Sequence, residues 1–559
     1  MSALPLFDSR AALYGLMAIL TMVVLIGHHA VPPMDRDESR FAQASRQMVQ
    51  SGDYITVKFQ DELRAKKPAG IYWAQSFFAS LFGTNDIASY RFVNLLALLA
   101  AVFMLYHIGL RLYEPRAALA AAALLGSSFI VLGEAHLAKT DSVLMALALV
   151  QQGALLTIYR AAQREAAPPR YSWFWFWVAM AVGVLVKGPV LPVLALLTVA
   201  ALSLWHRDFG WLAGSRPIYG IGLVIVICLP WAIMVSVATG GTFLDLALKG
   251  DFLAKVKSGQ ESHGVFPGAF LLLLPVLVWP GTPLLVMAVS GMRGLLAGPT
   301  TRFLLAWLIP FWVMLELVPT KLPHYILPVL PALCLILAGQ VIAPVPPSLQ
   351  QWRGWLGPAL RYLGVAVGFG FAFVAFWGAM IFGGADSRAA MLYAILVLVL
   401  ALATMMFGYY WISRGLWAPF FAMLVAGLLL HMVFFAGLVP SLSRLHVSKA
   451  VAGAISAMPG GRPLIMAAAG YHEPSLVFQL GRDLLLVDGR EAALFLAEAP
   501  AGLAIVEQRQ KALFLQTAQA LNLKLADPQQ IDGFNISKGR DVSIFLYRTD
   551  MFDDKAPKG

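Results

Sequence analysis

The run AALYGLMAILTMVVLIGHH at residues 11–29, followed by Ala30-Val31-Pro32-Pro33-Met34-Asp35-Arg36-Asp37-Glu38-Ser39-Arg40, decides the class of fold. An apolar segment of that length crosses a hydrocarbon layer of about 30 Å as one helix. Arg10 precedes it and no small-x-small cleavage site follows, so it reads as a retained anchor rather than a removed leader. The rest of the chain has the same character. Of 559 residues, 59% are hydrophobic and 13% charged, and the mean hydropathy is +0.73, which excludes a set of soluble globular domains. The net charge of +11 does not call for nucleic acid. Its cations sit in short loops between apolar runs, and no basic stretch is interleaved with aromatics as a base-stacking groove requires. Cys228 and Cys334 both lie inside apolar runs and read as packed side chains.

Apolar runs fall at 11–29, 88–110, 117–133, 142–160, 172–187, 189–205, 217–237, 268–290, 302–318, 323–341, 360–383, 390–412 and 417–438. They predict an all-α polytopic membrane protein of about 13 transmembrane helices. With residue 10 on the cytoplasmic side, every inner loop carries arginine: Arg111 and Arg116, Arg160 to Arg170, Arg207 and Arg216, Arg293 and Arg302, Arg353 and Arg361, and Arg414. The same assignment puts the first loop (31–87), Glu134 to Asp141, Lys187-Gly188-Pro189, a second large loop (239–267), Pro319 to Pro323 and everything after Pro440 on the opposite face. Each polar cluster that looks chemical thus falls on one side. Residues 1–440 form the expected membrane region. In residues 441–559, strand-like runs at Leu484–Asp488, Leu503–Glu507 and Val542–Tyr547 alternate with helical patterns at Arg490–Ala497 and Ala512–Leu521, which predicts a small α/β domain outside the membrane.

Within the first loop, Glu38 to Gln50 has helical periodicity, with Phe41, Ala44 or Ser45, and Met48 or Val49 on one face and Arg40, Gln43 and Gln47 elsewhere, and Ser51-Gly52-Asp53 stops it. It reads as a short helix lying in the membrane interface. Two readings of its acids are open. Asp37 caps the helix while Arg40 meets headgroups, or Asp35, Asp37 and Glu38 line one wet cavity, since an acid facing lipid at mid-depth costs about 2.5–3.5 kcal/mol. Lys66-Lys67-Pro68-Ala69-Gly70-Ile71-Tyr72-Trp73 closes the loop and fits either snorkelling beside an aromatic belt or a positioned cation. His136 to Asp141, Lys187-Gly188-Pro189 and Lys321-Leu322-Pro323-His324-Tyr325 repeat the theme of charges held at span ends.

The ordered set Asp35-x-Asp37-Glu38-x-Arg40-Phe41-Ala42, Ser51-Gly52-Asp53, Lys67-Pro68-x-x-x-Tyr72-Trp73, Thr140-Asp141, Lys187-Gly188-Pro189 and Lys321-Leu322-Pro323-x-Tyr325-x-Leu327-Pro328 resembles the bacterial GT-C glycosyltransferases related to the lipid A aminoarabinose transferases and, more distantly, the protein O-mannosyltransferases. The resemblance runs from about residue 30 to 340, with a weaker echo at Tyr471-x-Glu473-Pro474-Ser475-Leu476. It implies transfer of a sugar from a polyprenyl phosphate to a lipid A, glycolipid, polysaccharide or protein acceptor on the periplasmic face of the bacterial inner membrane. It also implies Asp37 as the catalytic base, Asp141 as a second acid, and Arg40, Lys67, Lys187, Lys321, Tyr325 and Tyr72 as substrate contacts. One departure stands out. The aminoarabinose transferases carry a metal-associated glutamate before the loop lysine, and here that position is Lys66. A cation there disfavours a divalent ion without excluding one; the weak candidate ligand is His263, in Glu261-Ser262-His263-Gly264. The competing class is a polyprenyl-linked lipid or sugar transporter, which would place charges at mid-depth in broken helices. The interiors of the apolar runs are nearly free of charge.

Overall fold

The computed structural model describes residues 10–164, 167–247, 265–285, 299–342, 356–414, 417–458, 463 and 465–549. Every apolar run lies wholly or partly on a helix. Among the described residues, eight helices are long and apolar enough to cross a membrane, and Pro115–Ser127 with Phe129–Ala135 adds a bent pair. Ser172–Lys187, Val190–His206 and Leu330–Gly339 are shorter apolar helices. The run at 268–290 is described as the helix Ala269–Leu277 with the residues up to Leu285. Most of the expected second large loop, His263 included, lies outside the described residues.

Small residues bring the central helices together. In Pro115–Ser127 every residue from Ala117 to Ser127 is buried, and a Cβ on Gly109 of Ile87–Leu112 would come within 2.8 Å of the Ala118 Cα. Close backbone approach of this kind replaces the hydrophobic effect as the association force in lipid. Outer helices are apolar all round. Only 11% of the best window of Pro217–Ala238 is buried in the protein, leaving Ile218, Val226 and Val237 exposed, which suits lipid as the surrounding solvent. The chain is therefore a multi-pass membrane protein.

The first loop folds into the helix Asp37–Ser51, a hairpin of β1 (Lys58–Phe59) and β2 (Glu62–Leu63), and the helix Gly70–Phe82. Gly52 ends the first helix in a left-handed conformation (φ 73°), its N–H donating to the Met48 carbonyl. Both faces of that helix are covered by protein. Phe41, Ala44 and Met48 are buried, and so are Gln43, Ser45 and Gln47 on the other side, because Gly70–Phe82 and Pro474–Leu480 cover it. Ser45 Oγ donates to Gln75 Oε1 at 2.8 Å and Gln47 Nε2 to the Gln60 carbonyl at 2.8 Å, so these two buried side chains are paired within the protein.

Beyond Ser441 a five-stranded sheet has the order β4-β3-β5-β7-β6, with β3 Met466–Ala469, β4 Leu485–Val487, β5 Leu503–Glu507, β6 Gln529–Asn535 and β7 Arg540–Tyr547. β3 pairs in parallel with β4 and β5, whereas β7 runs antiparallel to β5 and β6. Asp488 caps the helix Gly489–Glu498 with a capping box closed by Glu491.

Candidate active site

Asp37 is the first residue of its helix, and Arg36 before it adopts φ 64° and ψ −114°, a backbone conformation uncommon for a non-glycine residue. The Asp37 side chain is 54% exposed. Its neighbour Glu38 faces the other way into the protein. Glu38 forms a two-pronged pair with Arg91 from the span Ile87–Leu112, Nε to Oε1 at 2.7 Å and a terminal nitrogen to Oε2 at 2.8 Å. The Arg91 guanidinium also donates to the carbonyls of His28, Val31 and Pro32, so the end of the first span wraps around it. Glu38 in turn accepts from the backbone N–H groups of Met34 and Ala138. A buried charge pair with its remaining donors satisfied is a rigid anchor, and removing one partner costs about 3–5 kcal/mol.

The three acids therefore do not line one cavity. Asp37 is open, Glu38 is structural, and Asp35 turns toward the C-terminal sheet, where its carboxylate accepts a hydrogen bond from Ser475 Oγ. Nor does Asp37 act as the helix cap, since Arg36 occupies that position and makes no side-chain capping bond.

Cations crowd Asp37. Arg64, just beyond β2, brings a terminal nitrogen to 3.9 Å from Oδ1. That guanidinium is aimed from behind, by the Tyr72 hydroxyl at 3.1 Å from Nε and by the Phe41 ring, whose centroid lies 5.1 Å from Cζ. Partial burial works against charge on Asp37, but Arg64, then Lys139, Lys67 and Arg40 outweigh it and hold the carboxyl below its ordinary value. The group is thus a carboxylate at neutral pH. Of its four cationic neighbours, Lys139 also reaches a second carboxylate, Glu134 Oε1 at 2.9 Å. The Arg40 guanidinium makes no hydrogen bond among the described residues, and Lys67 Nζ donates to the Lys66 carbonyl.

A second charge cluster lies behind the first. The bend of 59° between Pro115–Ser127 and Phe129–Ala135 brings Glu134 to Lys139 back over the bundle, where Asn94 Nδ2 donates to the Glu134 carbonyl. Lys187, at the end of a helix stopped by Gly188 (φ 71°), pairs with Asp141, and its Nζ stands 5.2 Å from the centre of the Tyr325 ring. His324 bridges Glu134 Oε1 (3.4 Å) and Asp141 Oδ2 (3.9 Å). Burial opposes the charge of Lys139, yet Glu134 and Asp141, with Asp37 adding to them, keep its ammonium above the ordinary lysine value. Lys139 therefore joins the two clusters electrostatically.

Asp37, Arg40 and Lys67 share one field, and Asp141, Lys187 and Tyr325 form a separate, more buried group. Lys187 is not among the charges that act most strongly on Asp37; it pairs with Asp141. Tyr72 is fully buried and holds Arg64 rather than presenting its ring to a cavity. Lys321 donates to the carbonyls of Val265 and Val318 at 2.9 and 2.8 Å, tying the start of the Pro323 segment to a neighbouring loop. Sequence reasoning gives Arg64 no role and reads Lys139 only as one of the charges held at span ends. Both stand in stretches already singled out, Arg64 three residues before Lys67 and Lys139 two before Asp141. No group of three or more His, Cys, Asp or Glu suited to a metal ion occurs among the described residues, and a carboxylate surrounded by cations does not fit a divalent ion.

Comparison with known proteins gives the architecture a precedent. The structure superimposes on the crystal structure of ArnT from Cupriavidus metallidurans bound to undecaprenyl phosphate with a TM-score of 0.76, over 96% of this chain and 98% of that one, at 18% identity. This chain has the GT-C fold. The apo form of the same protein aligns with a TM-score of 0.71. The family model for dolichyl-phosphate-mannose-protein mannosyltransferases matches residues 66–234, the part of the GT-C fold that carries Lys67, Lys139, Asp141 and Lys187. Among curated relatives, the undecaprenyl phosphate-alpha-4-amino-4-deoxy-L-arabinose arabinosyl transferase of Pseudomonas paraeruginosa is 28% identical over 55% of each chain. Its namesake in Edwardsiella ictaluri is 27% identical over 61% of each. The chain spans about half the length of the curated relatives it matches.

Proposed function

We propose that this protein is an integral-membrane glycosyltransferase that moves a sugar from a polyprenyl-phosphate donor to a lipid A, glycolipid, polysaccharide or protein acceptor. The observation that carries the reading is the charge balance at Asp37: one open, ionised carboxylate among Arg64, Lys139, Lys67 and Arg40. Such a site can do two things at once. The carboxylate takes the proton from an acceptor oxygen as that oxygen bonds to the sugar's anomeric carbon. The cations meet the negative charge that grows on the phosphate oxygens as the anomeric C–O bond breaks and the polyprenyl phosphate departs.

Arg40, Arg64 and Lys67 are the proposed phosphate contacts, and Asp37 the base. Asp141 and Lys187 support the site as a neutral pair, with Tyr325 packed on the lysine. Family likeness and the fold shared with a structure bound to undecaprenyl phosphate support the donor class, and the arginine-rich loops on the opposite face support a periplasmic position for the site. Residues 1–440 are the proposed catalytic region and 441–559 a periplasmic domain. Mass spectrometry of envelope glycolipids from a strain lacking the gene should show one sugar-modified species disappear and return on complementation. An unchanged glycolipid and glycan profile would refute the reading. Lys67→Ala should weaken donor affinity in the purified protein, and an unaltered affinity would remove that residue from the phosphate site.

A further inference from the structure

The dipeptide before Asp37 is held by the C-terminal unit rather than by the membrane bundle. Arg36 donates from its guanidinium to the Ser537 carbonyl at 2.7 Å, in the turn between β6 and β7. That turn is fixed in its own right: the Lys538 N–H donates to Asn535 Oδ1 at 3.0 Å, and Asn535 Nδ2 to Glu473 Oε1 at 2.8 Å. Asp35 is caught by Ser475 Oγ, which also lies 2.6 Å from Ser448 Oγ. Ser475 and Ser448 are buried at the start of two helices of the same unit. On the far side of Asp37, Glu38 is locked to Arg91 in the bundle. Asp37 is thus the one acid of the three left open, strung between an anchor in the membrane region and an anchor outside it. Between them sits Arg36 at φ 64°. A non-glycine residue persists in that conformation only where its surroundings hold it there.

We propose, resting on the reading of Asp37 as the base, that the C-terminal unit is a positioning element for the reaction: Arg36 on Ser537 and Asp35 on Ser475 fix the backbone that aims Asp37. The account gives the α/β unit a role although the charges that act most strongly on Asp37, those of Arg64, Lys139, Lys67 and Arg40, all come from elsewhere in the chain. Its acids Glu473 and Glu507 face their own partners, Asn535 and Arg540. It makes Arg36 and Ser475 positioning residues, acting through Asp37 and touching no substrate.

The test uses the full-length protein in lipid nanodiscs and two independent variants. Arg36→Gly removes the guanidinium while permitting the backbone conformation, and Ser475→Ala removes the other tie. Each should speed amide hydrogen exchange across residues 34–40 by about tenfold or more. Each should lower kcat by about 10- to 100-fold with the donor KM little changed, and Arg36→Lys, which keeps a donor, should recover most of the loss. A merely structural role would reduce the yield of folded protein and leave the kcat of the folded fraction alone. Unchanged exchange in both variants overturns the proposal, as does faster exchange with undiminished kcat. Failure of the base reading shows elsewhere, as normal turnover by Asp37→Asn, whereas failure of the positioning role shows as normal exchange and kcat in Arg36→Gly and Ser475→Ala while Asp37→Asn is inactive.

Discussion

Asp37 and Asp141 each begin a helix and each have cations close by in space, yet they live in opposite environments. The Asp37 side chain is 54% exposed and outnumbered by cations. That of Asp141 is 4% exposed and matched by Lys187, itself 13% exposed. The first arrangement leaves a carboxylate that a ligand can reach; the second is closed on itself. Residue type alone does not make a charged group available. What decides is how many opposite charges already reach it and whether water does, since a buried pair is held by mutual need and loses much when either member is altered.

Breaking the deeper pair should have the largest effect on folding. Asp141→Asn would leave the Lys187 ammonium buried without its partner, at a cost of about 3–5 kcal/mol. The expected result is a sharply lower melting temperature in detergent, partly recovered in the Asp141→Asn, Lys187→Met double variant. A melting temperature equal to wild type would place Asp141 with Asp37 as an open, functional acid. Next comes Arg64→Ala, which strips the nearest cation from Asp37. Donor affinity should fall by about tenfold, the worth of one charge-assisted contact. Losing that cation also raises the Asp37 pKa, so the acid limb of the kcat profile should move to higher pH. A limb that stays put would mean that Asp37 is not the titrating base.

Asp35 sharpens the contrast from a third side. Burial pushes its carboxyl up from 3.8 to about 6, with Glu473 adding to the rise and the Ser475 hydroxyl and Arg40 opposing it. A carboxyl with a raised folded-state pKa contributes most below its unfolded value, and the contribution is lost as pH climbs through about 6. Asp35→Asn keeps an acceptor for Ser475 and removes the buried charge. It should therefore be more stable than wild type by about 1 kcal/mol at pH near 8, with the gap closing toward pH 4. A gap independent of pH would show that the carboxylate is ordinarily solvated.

Much of this was legible in the sequence. Long apolar runs report spans directly because the bilayer sets their length, and the helix after Asp37 and its stop at Gly52 follow from periodicity and a glycine. Pairing across distance was not legible. Glu38 looks like its neighbours until Arg91, 53 residues on, claims it, and Lys187 looks free until Asp141 meets it. Tyr72 reads as an interfacial aromatic because nothing local says that its hydroxyl faces Arg64. In the C-terminal unit the three predicted strands exist, while β3 and β6 were missed. The buried Met466-Ala467-Ala468-Ala469 lacks the β-branched residues that mark strands, and the polar Gln529–Asn535 is held at the sheet edge by pairing with β7. Helix Gly70–Phe82 was missed as well, its start hidden behind a lysine-proline stretch that reads as loop.

The most direct test of the account is a single-turnover measurement on Asp37→Asn, purified in lipid and loaded with polyprenyl-phosphate sugar. The chemical step should slow by about 10²–10⁴-fold, the contribution of a positioned general base, while donor binding and melting temperature stay at wild-type values. Sugar transfer within about threefold of the wild-type rate, far short of that range, would contradict the claim that the open carboxylate among the cations does the chemistry.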